Sequence, residues 1–176
     1  MEDTRNVTDN FKNRTEADIV AELDENGVEL EIAIENLARD FNMGTIVRSA
    51  NAFGVRHVHV IGRRGWNKRG AMMTDKYLHV HYHSDVAEFM GKMKQRERLV
   101  IAVDNITESV DLHATILPKN TVLVFGAEGP GLSDELLEQA EQVVAIEQFG
   151  STRSITVGVA AGITMYIWLQ QHKLKR

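Results

Sequence analysis

A chain of 176 residues with 43% hydrophobic residues, no cysteine and a formal net charge of −5 is long enough for one sizeable core and short for two. The missing thiols exclude a disulfide framework, a thiolate metal site and a cysteine nucleophile, and they fit a reducing, cytoplasmic setting. The most apolar run, residues 155–169, is shorter than the ~20 residues of a membrane crossing, and residues 1–31 are too polar for a secretory leader, so no membrane association is expected.

The charge is uneven. Residues 1–35 hold eleven acidic and three basic side chains, a net of −8, which leaves the remainder at +3. Residues 1–27 read as an acidic extension, flexible or loosely docked, with one ordered feature: a turn or two of helix over residues 16–23 that puts Ile19, Val20 and Leu23 on one side. The folded domain is expected over residues 28–176.

Leu30, Ile32 and Ile34 predict a first strand that runs into a polar loop at residues 36–42. Ile46, Val47, Ala50 and Phe53 fall at helical spacing and predict a helix over residues 43–53, stopped by Gly54. Strands follow at residues 56–61 and 78–82, on either side of a basic loop. That loop carries Arg63, Arg64, Lys68 and Arg69 with Trp66 among them, a combination suited to RNA phosphates and an unstacked base. His79, His81 and His83 alternate and share a face, as do His57 and His59; a half-exposed polar strand is the preferred reading, and no metal is expected.

Ser84 is expected to cap a helix over residues 85–96, and a fourth strand follows at 99–103. The run T-V-L-V-F at residues 121–125 is a fifth strand, Ser133 opens a helix, residues 143–146 form a sixth strand, and a last helix spans residues 154–171. In that helix Ser154, Gly158, Ala161 and Gly162 imply a close approach, within the chain or between subunits. Strands alternating with helices predict a parallel sheet covered on both faces.

Strand and helix are joined at residues 126–133 by G-A-E-G-P-G-L-S. Gly126, Gly129 and Gly131 run G-x-x-G-x-G, where a dinucleotide site needs G-x-G-x-x-G. Glu128 places an anion in the turn, and Pro130 removes an N–H that a phosphate would use. A neutral or cationic ligand against glycine backbone suits these residues better. The loops at 36–48, 126–133 and 146–157 all leave carboxyl ends of strands, where an open parallel sheet gathers its ligand-binding crevice.

Three segments carry a family resemblance: N-M-G-T-I-V-R-S-A-N-A-F-G-V at residues 42–55, F-G-A-E-G-P-G-L-S at 125–133, and I-E-Q-F-G-S-T-R-S-I-T-V-G-V-A-A at 146–161. In order and spacing they resemble the three motifs of the TrmH-type ribose 2′-O-methyltransferases of the SPOUT superfamily. The resemblance covers the chain from about residue 28 onward. It implies an α/β fold with a mostly parallel sheet, helices on both faces and a deep trefoil knot in its C-terminal part. It further implies S-adenosyl-L-methionine as methyl donor, a homodimer, and a tRNA or rRNA substrate, with tRNA first.

Carried over position by position, the resemblance implies Asn42 and Arg48 of the first motif, Glu128 of the second and Ser154 of the third as catalytic residues. Two residues after that serine the family usually has asparagine, and this chain has Thr156. A hydroxyl cannot reproduce an amide's two donors and separate acceptor. That departure carries the alternative reading, a catalytically weak RNA-binding or assembly protein that retains the fold. Val103, Asp104, Gly126, Gly131, Ile146, Ser154 and Ile155 match the family's cofactor cleft, and Arg63, Arg64, Trp66, Lys68 and Arg69 form the expected RNA contact.

Overall fold

A computed structural model describes residues 3–36, 42–127, 129–152 and 154–174. Its strands are β1 (Glu31–Asn36), β2 (His57–Gly62), β3 (His79–His83), β4 (Leu99–Val103), β5 (Val110–Asp111), β6 (Thr121–Phe125) and β7 (Gln142–Ala145). Its helices are α1 (Glu16–Asn26), α2 (Met43–Ala52), α3 (Val86–Gln95), α4 (Asp134–Gln139) and α5 (Val157–His172). The strands form one sheet in the order β3-β2-β1-β6-β4-β7-β5, and every pairing is parallel. The mostly parallel sheet of the sequence reading is therefore wholly parallel.

Because side chains alternate across a strand, β1 sends Ile32 and Ile34 to one face and Ala33 to the other, and each face has its own core. On one side Ile32, Ile34, Leu123 and Phe125 pack against Met43, Ile46, Val47 and Ala50 of α2 and Ala161, Met165 and Trp168 of α5. On the other, Ala33, Ala102, Val122 and Val124 pack against Phe89 and Met93 of α3 and Leu136 of α4. Trp168 satisfies its ring N–H inside the core by donating to the Pro118 carbonyl at 3.0 Å.

Helix starts follow local hydrogen bonding. Ser133 caps α4 as expected, its Oγ accepting from the Leu136 N–H at 3.3 Å. At α3 the cap falls one residue later than expected. Asp85 accepts from the Glu88 N–H at 2.8 Å, while the Glu88 carboxylate takes the Ser84 N–H at 2.7 Å, a reciprocal arrangement of the capping-box type. The last helix begins at Val157 rather than at residue 154, because Thr156 is extended (φ −61°, ψ 139°).

The acidic segment 16–23, read as a possible helical turn or two, is part of α1. Ile19 is buried, and Asp24 accepts from the buried Arg56 at 2.7 Å; the same guanidinium donates to the Tyr77 carbonyl at 2.6 Å.

The histidines share one face, and β3 is half-exposed as expected up to its last residue, with His57, His79 and His81 partly exposed, but the far end of the row is not. The register places His57 beside His79 and His59 beside His81, and both His59 and His83 are buried. Glu31, which is 1% exposed, accepts from His59 Nε2 at 2.8 Å and from both terminal nitrogens of Arg96, with Arg98 at 2.7 Å. Since the carboxylate can only accept, His59 donates through Nε2, and its Nδ1 shares a hydrogen bond with His83 Nε2 at 2.9 Å. Burial would raise the Glu31 pKa, but the hydrogen bonds from His59 and Arg96 and the charge of Arg98 hold it down at about 2. Desolvation and the neighbouring imidazoles press His81 and His83 down to about 4. No helix among the described residues is long and apolar enough to cross a membrane.

Candidate functional site

The carboxyl ends of β4, β6 and β7 open onto a cavity of about 350 Å³. The β4 end contributes Val103, Asp104 and Asn105; the β6 end contributes Gly126, Ala127, Gly129 and Gly131. The β7 end supplies Ala145, Ile146 and Gln148, and the approach to α5 supplies Ser154 to Val157 with Ala160 beyond. This is a switch point of the sheet, since β6 lies between β1 and β4 while β7 lies between β4 and β5.

Glycine is required at Gly126. A Cβ there would lie 2.3 Å from the Gly131 carbonyl carbon and 2.6 Å from the Leu132 nitrogen, because the loop folds back on itself and closes with Gly131 N–H donating to the Ala127 carbonyl at 3.1 Å. Gly131 has φ +71°, and a Cβ on it would meet Asp104 Oδ2 at 2.7 Å. The same carboxylate oxygen accepts from the Leu132 N–H at 3.0 Å. On the other side Glu35, 1% exposed at the end of β1, accepts from the Ser133 N–H at 2.8 Å and from its hydroxyl at 2.6 Å. The glycine loop is thus held by two carboxylates from neighbouring strands.

The segment after β7 has its own tie. Glu147 pairs with His113, which also donates its backbone N–H to that carboxylate at 3.3 Å. The hydrogen bond between the two raises the His113 pKa and lowers that of Glu147. Ile146 and Gln148, on either side of Glu147, line the cavity, so this pair fixes one wall.

Every residue matched to the cofactor cleft, Val103, Asp104, Gly126, Gly131, Ile146, Ser154 and Ile155, lines this cavity, and so does Thr156. Asn42 and Arg48 lie outside it, on α2. Asn42 stands at the N-cap of α2, and a Cβ on Gly158 of α5 would come within 3.9 Å of its Oδ1 and 3.1 Å of Thr45 Cγ2. The first and third motifs therefore touch where α2 and α5 begin, which makes Gly158 a close approach within the chain. Arg48 is exposed on α2. Glu128 falls outside the described residues. Arg63, Arg64, Lys68 and Arg69 are exposed in the loop after β2, where Trp66 is partly buried; Lys68 lies over the Trp66 ring and pairs with Asp75 at 2.6 Å.

Sequence reasoning missed Glu35, Asn105, Ala145 and Ala160, and it brought Ala127, Gly129, Gln148 and Val157 to the crevice only as parts of its loops. Glu35 had one signal: a carboxylate in phase with Ala33, directly after the apolar run Ile32, Ala33 and Ile34.

Among the described residues the lining contains no cationic side chain and one carboxylate, that of Asp104, and Gln148 keeps its amide oxygen buried without a hydrogen-bond partner. Backbone N–H and C=O groups, an orphan acceptor and one anion suit a ligand that brings donors and positive charge.

A family model described as the SpoU rRNA Methylase family matches residues 29–166. The tRNA (guanosine(18)-2′-O)-methyltransferase of Thermus thermophilus is 28% identical over 151 residues, 84% of this chain and 77% of that protein. The enzyme of the same name from Aquifex aeolicus is also 28% identical, with 84% and 72% covered. Among solved structures, the A. aeolicus TrmH/SpoU tRNA modifying enzyme matches with a TM-score of 0.78 at 25% identity, covering 90% of this chain and 85% of that one. The SpoU methyltransferase AviRb of Streptomyces viridochromogenes, in complex with AdoMet, shares the fold with a TM-score of 0.75 at 22% identity, over 83% of this chain and 58% of its own.

Proposed function

This chain belongs to the SpoU rRNA Methylase family, and from that membership we infer that it transfers the methyl group of S-adenosyl-L-methionine to a ribose 2′-hydroxyl of RNA, with tRNA as the substrate. The observation that carries this reading is the cavity at the β4, β6 and β7 ends, where the backbone of three loops meets around the Asp104 carboxylate and, among the described residues, no cationic side chain lines it. Bound there, S-adenosyl-L-methionine supplies a methyl group on positively charged sulfur. Val103, Asp104, Gly126, Gly131, Ile146, Ser154 and Ile155 are the residues we assign to hold it.

The chain's own part in the reaction is orientation and charge. Transfer to a ribose oxygen requires that oxygen to approach in line and lose its proton, so positioning supplies much of the acceleration. Ser154 and Thr156 stand at the mouth of the cavity with side chains exposed, and we assign them to the incoming sugar together with Asn42 and Glu128. Arg48 has no lone pair to accept a proton while charged. Its assigned role is to grip the neighbouring phosphate and stabilise negative charge developing on the 2′-oxygen. Arg63, Arg64, Trp66, Lys68 and Arg69 hold RNA further out.

Three coarser proposals accompany this. Residues 28–176 form the methyltransferase domain, with residues 1–27 as an acidic extension. The C-terminal part is threaded as a trefoil knot, supported by the insertion of β6 and β7 between strands laid down earlier. The protein is a homodimer in the cytoplasm. Support for the dimer comes from α5, where Val159, Ile163 and Tyr166 are 52%, 38% and 46% exposed along one stripe and a Cβ on Gly162 would meet nothing within 4 Å.

The deciding experiment incubates the protein with methyl-labelled donor and bulk tRNA or rRNA, followed by nucleoside mass spectrometry. Label in a 2′-O-methylnucleoside is expected, and Arg48→Lys should lose most of it. Donor binding with no transfer to either RNA would instead favour the catalytically weak RNA-binding protein that Thr156 suggests.

A further inference from the structure

The loop after β2 carries a feature that methyl transfer does not use. Met72 and Met73 are consecutive, with φ of +49° and +65°, a left-handed conformation that ordinary side chains avoid. Both side chains are held in solvent, 51% and 60% exposed, whereas Met43, Met93 and Met165 are at most 1% exposed in the two cores.

The surroundings impose this strained turn. A short 3-10 turn stands on each side, Arg69–Ala71 and Thr74–Tyr77. The buried Thr74 hydroxyl donates to the Ala71 carbonyl at 2.7 Å, and the Ala71 N–H donates to the Lys68 carbonyl at 3.0 Å. Beneath the turn, backbone rests on backbone. A Cβ on Gly44 would fall 2.6 Å from the Ala71 nitrogen, and one on Gly70 would fall 3.0 Å from the Thr45 nitrogen. The methionine pair is therefore fixed against the first turn of α2, the helix that carries Arg48.

The segment that carries the pair, residues 63–76, is rich in positive charge. Of Arg63, Arg64, Lys68, Arg69 and Lys76, only Lys68 has a carboxylate partner among the described residues. Two exposed, soft, flexible side chains amid cations that mostly lack a carboxylate match a polyanion that also presents an apolar ring face. We propose that Met72 and Met73 form a platform on which an unstacked base of the substrate RNA rests while the surrounding cations hold its phosphates. Thioethers make favourable contacts with aromatic rings, and RNA is read chiefly at splayed, unpaired bases. The platform rests on the RNA methyltransferase reading above and adds to it the element that holds a base beside α2.

The test uses the full chain and bulk tRNA. Met72→Ala/Met73→Ala should weaken tRNA binding, read by filter retention, roughly 5- to 10-fold, with the melting temperature and donor affinity unchanged. Met72→Leu/Met73→Leu should stay within about twofold of wild type, because shape and apolarity are kept. Photo-methionine at these positions should cross-link to tRNA. Filter retention needs no turnover, so it tests the platform even if wild type transfers no methyl group, a result that would count against the enzyme reading alone. Wild-type tRNA binding by the alanine pair overturns the platform. So does a change in the oligomeric state of that variant with tRNA affinity intact, which would make the pair a subunit contact.

Discussion

At the β2–β3 edge of the sheet, five imidazoles and Glu31 are packed so that ring nitrogens and carboxylate oxygens largely use up one another's hydrogen-bonding capacity, with His57 and His81 sharing a bond at 2.9 Å and His59 bridging Glu31 and His83. At the β4, β6 and β7 ends the described residues show glycine backbone, an amide oxygen with no partner among them and one carboxylate around about 350 Å³ of open space. The histidine edge is richer in groups that could do chemistry, yet apart from the buried His83 Nδ1, which has no partner among the described residues and does not line that cavity, its groups are occupied with each other or with Asp24. The cavity is poorer in such groups and keeps its backbone available. Reactive residue types alone are therefore a poor guide to function here; unspent hydrogen-bonding capacity beside a cavity is the better one.

The contrast can be broken most directly at Gly126. In Gly126→Ala the new methyl group would have to displace the Gly131 carbonyl and the Leu132 N–H, which lie 2.4 Å and 2.6 Å from it. The loop that lines the cavity must then open. Methyl transfer should fall on the order of 100-fold, the usual result of a misplacement near 1 Å, and calorimetric titration with donor should show the loss. Wild-type donor affinity in this variant would mean that the glycine loop does not hold the donor. At the other edge, Glu31→Ala leaves His59, Arg96 and Arg98 facing one another without their shared anion. Breaking such a buried set costs about 3 kcal/mol, a drop of about 6–12 °C in melting temperature for a chain of this size, with donor affinity unchanged. A variant that lost donor binding while keeping its stability would reverse the roles assigned to the two edges.

How much of this was legible in the sequence depends on how local each cause is. β4 and β6 fall where Leu99 to Val103 and Thr121 to Phe125 predicted them, since uninterrupted apolar runs bounded by polar residues leave little choice of register. β2, β3 and β7 shift by one residue, because their ends are set by pairing with neighbours rather than by their own side chains. β5 is two exposed residues paired with β7, too short for any periodicity to register. The glycine loop could be read as unsuited to phosphate from Glu128 and Pro130 alone. The clamp from Glu35 to Ser133 joins residues 98 apart, and the imidazole pairings need the β2–β3 register, so neither could be read. The motifs place Asn42 and Arg48 beside the cavity, whereas the structure puts them at the N-cap of α2 and on that helix, outside the lining; the approach of Asn42 and Thr45 to Gly158 shows how near α2 comes.

Acid should separate the two edges without mutation. His81 and His83 have folded pKa values near 4, well below the ordinary histidine value of 6.5. Between those values the unfolded chain binds protons that the folded chain refuses. Stability is therefore intact above pH 6.5 and falls as the pH drops toward 4, by about 1.4 kcal/mol per pH unit for each proton at most. With both groups contributing, urea midpoints should show a loss of roughly 2 kcal/mol between pH 6.5 and 5.5. Glu31, held at about 2, keeps its contribution through this window and loses it progressively as the pH falls from 4.5 to that lower value. His83→Asn should flatten the slope, and a slope unchanged in that variant would place the acid sensitivity elsewhere.

The smallest expected effect gives the finest test, because it falls between the two classes of polar group. Ser133 caps α4 with its Oγ and donates the same hydroxyl to Glu35, so it is a satisfied structural group standing on the cavity loop. In Ser133→Ala the helix loses its cap, but Glu35 keeps the Ser133 N–H at 2.8 Å and is not left without a donor. The stability cost should be that of a lost N-cap, about 1 kcal/mol, a melting temperature lower by about 2–4 °C. Glu35→Gln removes the charge from both hydrogen bonds and should cost more than Ser133→Ala. If the loop is held in shape by these carboxylates, donor affinity should weaken in both variants, and in the same order as stability. Should the melting temperature fall in that order while the donor's dissociation constant stays at the wild-type value, the Gly126 to Ser133 loop would owe its shape to its own glycine turn, and Glu35 would belong with Glu31 among the groups that only hold the sheet together.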